Sequence, residues 1–268
     1  MDALYKTCMN ALYEARKTLT SIVDGREGVA TTKDEPLTKG DLAVSKTLKD
    51  YLLKSGLPAI LTSEEAGIIH SPYQPLWAIY FDEVDGTFNY ERNILPCSTV
   101  ISAFNYSSNL KFRDAVFAGV LDHTSDRLWY ALKNAGCFLN GIKVQTSKNK
   151  KLGKRTSVII DHGPCSKDVE RFLEVYASTW VRNVSSAGFH LAGVASGNFD
   201  AYILPIQKAH ELGAGYLLIK EAGGTIIDFD GNLIGGQTFD FNKTYPIIAA
   251  ANSELAERLR DKIVKKIN

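Results

Sequence analysis

The sequence lacks a net charge of either sign: 31 basic and 30 acidic side chains leave a formal charge of +1 over 268 residues. Such a chain has no bulk charge that would draw it to nucleic acid or to an anionic membrane surface. It has no apolar run long enough to span a bilayer, and its first residues contain no unbroken apolar stretch of the secretory kind. We therefore expect a cytoplasmic protein with no nucleic-acid and no membrane partner.

Cysteine is scarce and scattered. The four cysteines, Cys8, Cys97, Cys137 and Cys165, form no C-x-x-C pair and no metal-ligand spacing. This favours reduced, mostly buried thiols over a zinc site or a disulfide framework. Internal repeats and low-complexity tracts are also missing, so the length fits one large α/β domain or two fused halves.

The order of predicted elements divides the chain at a polar, basic stretch, residues 146–155. Before it, helices at 3–23 and about 41–54 precede closely spaced strand-like runs that suggest an antiparallel sheet. After it, strands and helices alternate, as in a layered α/β structure. We expect an N-terminal α+β half, residues 1–150, that carries metal-binding acids, and a C-terminal α/β half, residues 151–268, that completes the metal and substrate site.

The individual elements follow from hydrophobic periodicity and from glycine breakers. The predicted strands are 59–62, 76–81, 99–104, 115–121, 127–131, 157–160, 201–204, 225–229 and 247–251. The predicted helices of the second half lie near 167–177, 187–196 and 211–222 and begin again at 253. Trp77, Trp129 and Trp180 fall in strand-like runs and are predicted to lie in the core.

The most informative segment follows one of these strands and reads Asp82-Glu83-Val84-Asp85-Gly86-Thr87-Phe88-Asn89. Two carboxylates three residues apart on a tight turn can hold one hard cation or bridge two, and the Val84 carbonyl between them can join in. Gly86 lets backbone N–H groups approach an anion, and a helix that starts there favours phosphate. Taken alone, the segment competes with an Asx turn or a helix cap.

Other acids stand beside short strands or helix starts. Glu64 and Glu65 follow the strand 59–62, Asp41 follows Thr38 at the start of a helix, and Glu211 opens another helix. A solvated strand end, a helix cap or a helix-dipole contact would explain each one singly. Open α/β sheets bind ligands at the carboxyl ends of strands, and one shared site explains the acids together better than four separate roles do, although only a fold can join them.

In their order along the chain, these segments resemble the inositol monophosphatase superfamily, the lithium-sensitive, magnesium-dependent sugar phosphatases that include archaeal-type fructose-1,6-bisphosphatases. The family pattern D-P-x-D-G-T-x-N is met at 82–89 except for its proline, which is Glu83 here. Four further blocks, T-x-x-D, S-E-E, S-A-x-x-x-L-x-x-V-A-x-G-x-x-D-A and E-A-G-G, match at 38–41, 63–65, 186–201 and 221–224. Together the matches cover roughly residues 30–252.

The resemblance implies an αβαβα layered sandwich of the sugar phosphatase type, classed as α+β or α/β. It implies a phosphoric monoester hydrolase in which a metal-activated water cleaves the phosphate of a small sugar or polyol, of the inositol monophosphate or fructose-1,6-bisphosphate type. It further implies two or three Mg²⁺ ions, which Mn²⁺ can replace, and a homodimer. Phosphoryl transfer depends mostly on positioning and electrostatics, so no nucleophilic serine or cysteine is needed.

The resemblance also implies roles for individual residues. Glu64, Asp82 and the Val84 carbonyl would hold the first ion, and Asp82, Asp85 and Glu211 the second. The catalytic residues would be Asp41, Thr87 and Glu64, with Thr87 and Asp41 orienting the attacking water. We place five residues on the substrate: Gly86, Thr87, Ser186, Arg182 and Lys208.

The chain departs from the family pattern at three further positions. The family Trp-Asp pair is His210-Glu211, and Glu211 keeps the carboxylate but adds a methylene. Since Mg²⁺ prefers oxygen ligands, we assign His210 a packing or hydrogen-bonding role. Leu204 stands where inositol-selective members have a glutamate, so we expect activity on several sugar phosphates.

Two alternatives to this function stay open. One is a nucleotide 3′-phosphatase of the same superfamily, which would need an adenine pocket. The other is a non-catalytic relative that binds a metal or a ligand. Glu83 and Glu211 keep this alternative open, and the intact set of Asp41, Glu64, Asp82, Asp85 and Thr87 argues against it.

Overall fold

The structure is a computed structural model that describes residues 2–30, 36–161 and 169–264. The helices are α1 (Asp2–Ser21), α2 (Lys39–Lys54), α3 (Thr87–Arg92), α4 (Leu173–Ser178), α5 (Ala187–Ala195), α6 (Ala209–Glu221) and α7 (Ser253–Val264). The strands are β1 (Ala59–Ser63), β2 (Gly67–His70), β3 (Trp77–Asp85), β4 (Ser98–Asn105), β5 (Ala115–Asp122), β6 (Leu128–Leu132), β7 (Gly136–Leu139), β8 (Ile142–Val144), β9 (Ser157–Ile160), β10 (Trp180–Arg182), β11 (Ala201–Lys208), β12 (Thr225–Ile227) and β13 (Thr244–Ala250).

The strands form two sheets, one on each side of the basic stretch. The first has the order β2-β1-β3-β4-β5-β6-β7-β8 and the second β10-β9-β11-β13-β12. In the first sheet β1 runs parallel to β3, and the other neighbouring pairs are antiparallel. The predicted antiparallel sheet is thus confirmed except between β1 and β3. The chain passes from β1 to β3 through β2, without a helix, and the C-terminal ends of β1 and β3 lie side by side.

The helices and sheets alternate in five layers. α1 and α2 contact the outer face of the first sheet, α5 and α6 lie between the sheets, and α7 covers the far face of the second sheet and contacts α4. The side chains of β4 show why: Val100 and Phe104 face the core shared with α6, whereas Ile101 and Ala103 face the core shared with α1. This period of two gives one strand two buried faces, and the predicted αβαβα sandwich is confirmed.

Some predictions need correction. The helix predicted near 167–177 is α4 alone, preceded by a 3₁₀ turn at Val169–Phe172, and residues 162–168 lie outside the described part. Trp180 is 63% exposed, because it lies on β10, a short strand at the edge of the second sheet. Trp129 is buried as predicted and donates a hydrogen bond to Ser196 Oγ at 3.0 Å.

Three of the cysteines, Cys8, Cys97 and Cys137, are free and buried, and Cys165 lies outside the described residues. No helix within the described ranges is long and apolar enough to cross a membrane. The division into independent halves at 1–150 and 151–268 stays a prediction.

Candidate metal-centred active site

The parallel pairing of β1 and β3 brings the first two acids together. Ser63, the last residue of β1, pairs with Phe81 of β3, so Glu64 and Asp82 follow side by side. One carboxylate oxygen from each lies within 4.8 Å of the other and of a nitrogen of His210. The strand ends thus create the first group of possible metal ligands.

An irregularity in β3 brings Asp82 and Asp85 to one side. In a regular strand, residues three apart point to opposite faces. The pairing of β3 with β4 shifts between Asp82 and Asp85, and such a bulge re-aims side chains. Oxygens of Asp82, Asp85 and Glu211 therefore lie within 4.8 Å of one another, as a second group that shares Asp82 with the first.

Glu211 reaches this group from the first turn of α6. Its Oε2 accepts a hydrogen bond of 2.6 Å from Gln207 Nε2, which fixes the longer side chain toward the cluster. Sequence reasoning missed Gln207, because it lies on β11 and its spacing from Glu211 is not a spacing within one helix.

Asp85 is held by the start of α5. Its Oδ2 accepts hydrogen bonds from Ser98 Oγ (2.7 Å), Ser186 Oγ (2.6 Å) and Gly188 N (2.9 Å), while Oδ1 accepts one from Ala187 N (2.8 Å). A Cβ on Gly188 would meet Asp85 Oδ2 at 2.9 Å, so glycine permits this approach. Oδ1 keeps the lone pair that can face a cation.

The buried carboxylates repel one another when they are ionised. Burial raises the pKa of Asp82 well above its usual value, and the charges of Glu64, Asp85 and Glu211 add to the shift. Burial likewise raises the pKa of Asp85, and raises that of Glu211 to about 8. Close anions in a buried site resist ionisation together unless a cation accompanies them. The oxygen-rich donor set therefore fits hard divalent cations such as Mg²⁺ and Mn²⁺.

Glu64 is the exception, since it has basic neighbours. Its Oε1 accepts a hydrogen bond of 2.6 Å from Lys208 Nζ, and its Oε2 lies 3.4 Å from His210 Nε2. Burial would raise the pKa of Glu64, but His210 and Lys208 outweigh burial and hold it below its usual value. Lys208 thus contacts a predicted metal ligand, a pairing that the sequence did not suggest.

Asp41 and Thr87 meet at the opposite wall. Asp41 lies in the first turn of α2 and completes a capping box with Thr38, whose N–H and hydroxyl donate to Asp41 Oδ2 at 2.8 and 2.5 Å. Thr87 Oγ1 lies 2.8 Å from the Val84 carbonyl oxygen and 3.2 Å from Asp41 Oδ1. Burial raises the pKa of Asp41 to about 6. A short helix does start at Thr87, with Gly86 before it in the left-handed region at φ 88°.

Most of these groups, but not Asp41 or Asp85, line one cleft of about 170 Å³. Its lining residues are Glu64, Asp82, Val84, Gly86, Thr87, Phe88, Lys208 and Glu211 together with Glu65 and Pro36. Ser186 is only 1% exposed and lies behind Asp85. Arg182 lies outside the cleft lining, with its guanidinium 5.8 Å from the Trp180 ring. The substrate contacts predicted for Ser186 and Arg182 stay predictions.

Two further residues support the site without lining the cleft. Asn89 Nδ2 donates to the carbonyls of Pro96 (2.8 Å) and Val184 (2.6 Å), and so ties the α3 loop to the segment before α5. Glu83 is 1% exposed. Burial raises its pKa to about 7 against the opposing effect of the Ser45 and Ser63 hydroxyls, so it points toward α2 and β1.

Known proteins resemble the chain over its full length. The sequence model of the inositol monophosphatase family matches residues 1–268. A fructose-1,6-bisphosphatase/inositol-1-monophosphatase of Archaeoglobus fulgidus is 28% identical over 256 residues, 93% of this chain and 94% of the relative. Inositol monophosphatase 2 of Mus musculus is 30% identical over 230 residues, 81% of this chain and 75% of the relative.

Solved structures share the fold. The extragenic suppressor protein suhB from Bartonella henselae superposes with a TM-score of 0.84 at 21% sequence identity, covering 98% of this chain and 99% of that one. The match of the family model, the two carboxylate groups around Asp82 and the order of the sequence blocks agree, and the chain belongs to the inositol monophosphatase family.

Proposed function

We propose that the protein is a phosphatase that uses divalent cations, Mg²⁺ or Mn²⁺, to hydrolyse a phosphate monoester on a small sugar or polyol. The observation that carries this proposal is the meeting of two carboxylate groups at Asp82, in a cleft that Thr87, the partner of Asp41, also lines. The family's relatives named as fructose-1,6-bisphosphatase/inositol-1-monophosphatase and inositol monophosphatase support the same activity.

The residues at the site have two kinds of proposed role, holding cations and orienting a water. Glu64, Asp82 and the Val84 carbonyl would hold one cation, and Asp82, Asp85 and Glu211 another. Bound divalent cations supply positive charge to the phosphate and its leaving oxygen and lower the pKa of water beside them. Thr87 Oγ1 donates its single proton toward Val84 O or Asp41 Oδ1, so its oxygen is free to accept a hydrogen bond from a water. Asp41 fixes that orientation because the Thr38 cap holds it.

The lining of the cleft favours a polar substrate. It consists mainly of charged and polar side chains, and Phe88 is the aromatic residue among the described lining residues. Because a nucleotide base would need an apolar or aromatic pocket, this lining supports a sugar or polyol phosphate over a nucleotide. Leu204 is 8% exposed and packs in the core between the sheets, so it cannot receive a hydrogen bond from a substrate hydroxyl. We therefore propose turnover of several sugar phosphates, with Lys208 as a cationic side chain that lines the cleft.

The decisive experiment compares hydrolysis of a panel of phosphomonoesters with excess Mg²⁺ and with excess chelator. Inositol monophosphate, fructose 1,6-bisphosphate and a nucleoside 3′-phosphate represent the three substrate classes. We expect hydrolysis of the first two in Mg²⁺ and none in chelator. Hydrolysis that persists in chelator would exclude the cation-dependent mechanism, and exclusive use of the nucleotide would favour the alternative. Absence of turnover on all members would favour a non-catalytic relative. The homodimer and the cytoplasmic location are proposals that rest on the family and on composition.

A further inference from the structure

The His210 ring lies inside the first carboxylate group rather than against a neutral wall. It is 3% exposed, and its Nε2 lies 3.4 Å from Glu64 Oε2 and 3.8 Å from Asp82 Oδ2. Within the described residues neither ring nitrogen has a hydrogen-bond partner. A packing role is fulfilled, since the ring lies 5.2 Å from the ring of Phe241. Glu64 Oε2 is at ion-pair distance, but neither ring nitrogen makes a hydrogen bond of good geometry, and a buried nitrogen without a hydrogen bond is costly.

The three donor atoms are spaced as ligands of one cation. Neighbouring ligands around an octahedral ion with bonds of about 2.1 Å are separated by about 3 Å. The distances of Nε2 to the two carboxylate oxygens slightly exceed this value, and all three atoms fall within 4.8 Å of one another. Small side-chain movements would therefore bring them around one ion.

The second oxygen of Glu64 is already engaged. Lys208 Nζ bonds Oε1 at 2.6 Å, which leaves Oε2 turned toward His210. The lysine thus fixes the orientation of the carboxylate, and Phe241 fixes the plane of the imidazole. Both supports come from the surroundings of His210, so its nitrogen is pre-positioned rather than loosely placed.

We infer that His210 Nε2 is a ligand of the first cation, together with Glu64 and Asp82, and that this site prefers a transition-metal ion such as Mn²⁺, Co²⁺ or Zn²⁺ over Mg²⁺. Imidazole nitrogen suits Zn²⁺ and the neighbouring transition metals, and Mn²⁺, which also takes oxygen ligands, accepts a nitrogen ligand more readily than Mg²⁺ does. The inference rests on the metal centre of the proposed function, but it requires no turnover.

The direct test is pulsed electron paramagnetic resonance of the substrate-free protein loaded with Mn²⁺, in which a coordinated imidazole imposes nitrogen modulation on the electron spin echo. We expect ¹⁴N modulation in the wild type and its replacement by the ¹⁵N pattern after labelling with ¹⁵N-histidine. The modulation should disappear in His210→Asn and persist in His70→Asn, a control on the exposed strand β2. If His210→Asn fails to fold, His210→Phe and the isotope exchange carry the same test.

Calorimetric titration gives a second readout. His210→Asn should weaken Mn²⁺ binding by at least about tenfold, because loss of even an outer partner of a ligand costs that much, and should change Mg²⁺ binding much less. Mn²⁺ bound without nitrogen modulation, or equal losses for both ions, would overturn the inference while leaving the phosphatase proposal intact. Failure of the wild type to bind Mn²⁺ would also overturn it. Nitrogen coordination in a protein without phosphatase activity would uphold it and refute the proposed function.

Discussion

Asp41 Oδ1 lies 3.2 Å from Thr87 Oγ1, although 46 residues separate the two along the chain. The contact joins the first turn of α2 to the first residue of α3, and the Thr38 cap holds Asp41 in place. A hydroxyl fixed between a carboxylate and a backbone carbonyl has little freedom to turn, which is what the alignment of a water requires.

Thr87→Val keeps the shape of the side chain and removes the hydroxyl. We expect kcat to fall at least about 100-fold, the usual contribution of a positioned proton-handling group, and KM to change little. Thr87→Ser should recover most of the rate. Steady-state kinetics of both variants with saturating cation provide the measurement. Near-normal turnover in Thr87→Val would remove the threonine from the mechanism.

Bound cations should stabilise the fold, and this stabilisation should depend on Asp82, which belongs to both groups of possible ligands. At a concentration one hundred times its Kd, a ligand of the native state adds about 2.7 kcal/mol to the free energy of unfolding. Asp82→Asn should abolish this increment, and should raise the melting temperature in chelator because it removes one of several close buried acids. Thermal unfolding with and without Mg²⁺ tests both points. The surface variant Asp50→Asn, whose partner is Lys46, should keep the increment.

Glu211 should govern the second cation. Glu211→Gln keeps the size and the neighbour Gln207 but loses the charge, so we expect a higher Mg²⁺ concentration at half-maximal activity and a lower kcat. Glu211→Asp should shift the midpoint the other way, because Mg²⁺ tolerates poor octahedral geometry badly and the shorter side chain matches the family pattern. Glu254→Gln, on the surface of α7, is the matched control. An unmoved midpoint in Glu211→Gln would leave the residue a helix-dipole partner, worth roughly 0.3–1 kcal/mol of stability.

Two buried histidines should make the fold sensitive to acid. Burial lowers the pKa of His123 to about 4 and that of His190 to about 3. As pH falls below about 6.5, the unfolded chain takes up these protons before the folded one. The two histidines therefore cost no stability above about pH 6.5. Below it, each lowers the free energy of unfolding by up to about 1.4 kcal/mol per pH unit as the pH falls, until the pKa of the folded state is reached.

Chemical unfolding between pH 4 and 7 measures this slope. His123→Gln should unfold with a shallower pH dependence than the wild type, and taking the difference between the two cancels the contributions of other groups. His123 Nε2 lies 2.8 Å from Thr99 Oγ1, and glutamine offers that threonine another polar partner. An unchanged slope would show that His123 does not titrate differently in the two states.

Sequence reasoning reached much of this site because its acids follow strand ends or begin helices. Glu64 and Asp82 follow apolar runs, and Asp41 and Glu211 stand in first turns of helices. Such positions are visible as a change from apolar to acidic residues. Joining them required the family resemblance, since periodicity does not reveal that β1 runs parallel to β3 or which strands are neighbours.

Other features depend on tertiary contacts that no local pattern encodes. The bulge that aligns Asp82 with Asp85 appears only in the pairing with β4. The contacts of Lys208 and His210 with Glu64 appear only when the end of β11 and the start of α6 are placed beside the end of β1. Trp180 has the composition of a core residue, and only the position of β10 at the edge of the second sheet exposes it.

Asp85 belongs to the first sheet, yet it receives the first amides of α5, a helix of the second half. A cation bound by this carboxylate should therefore also affect the hydrogen bonds that join the first sheet to α5. The hydrogen-exchange rates of the Ala187 and Gly188 amides should therefore report whether the cation site is occupied. Binding of a cation at Asp85 should hold this carboxylate and its hydrogen bonds to α5 more firmly. Exchange should then slow at two amides that do not themselves contact the ion.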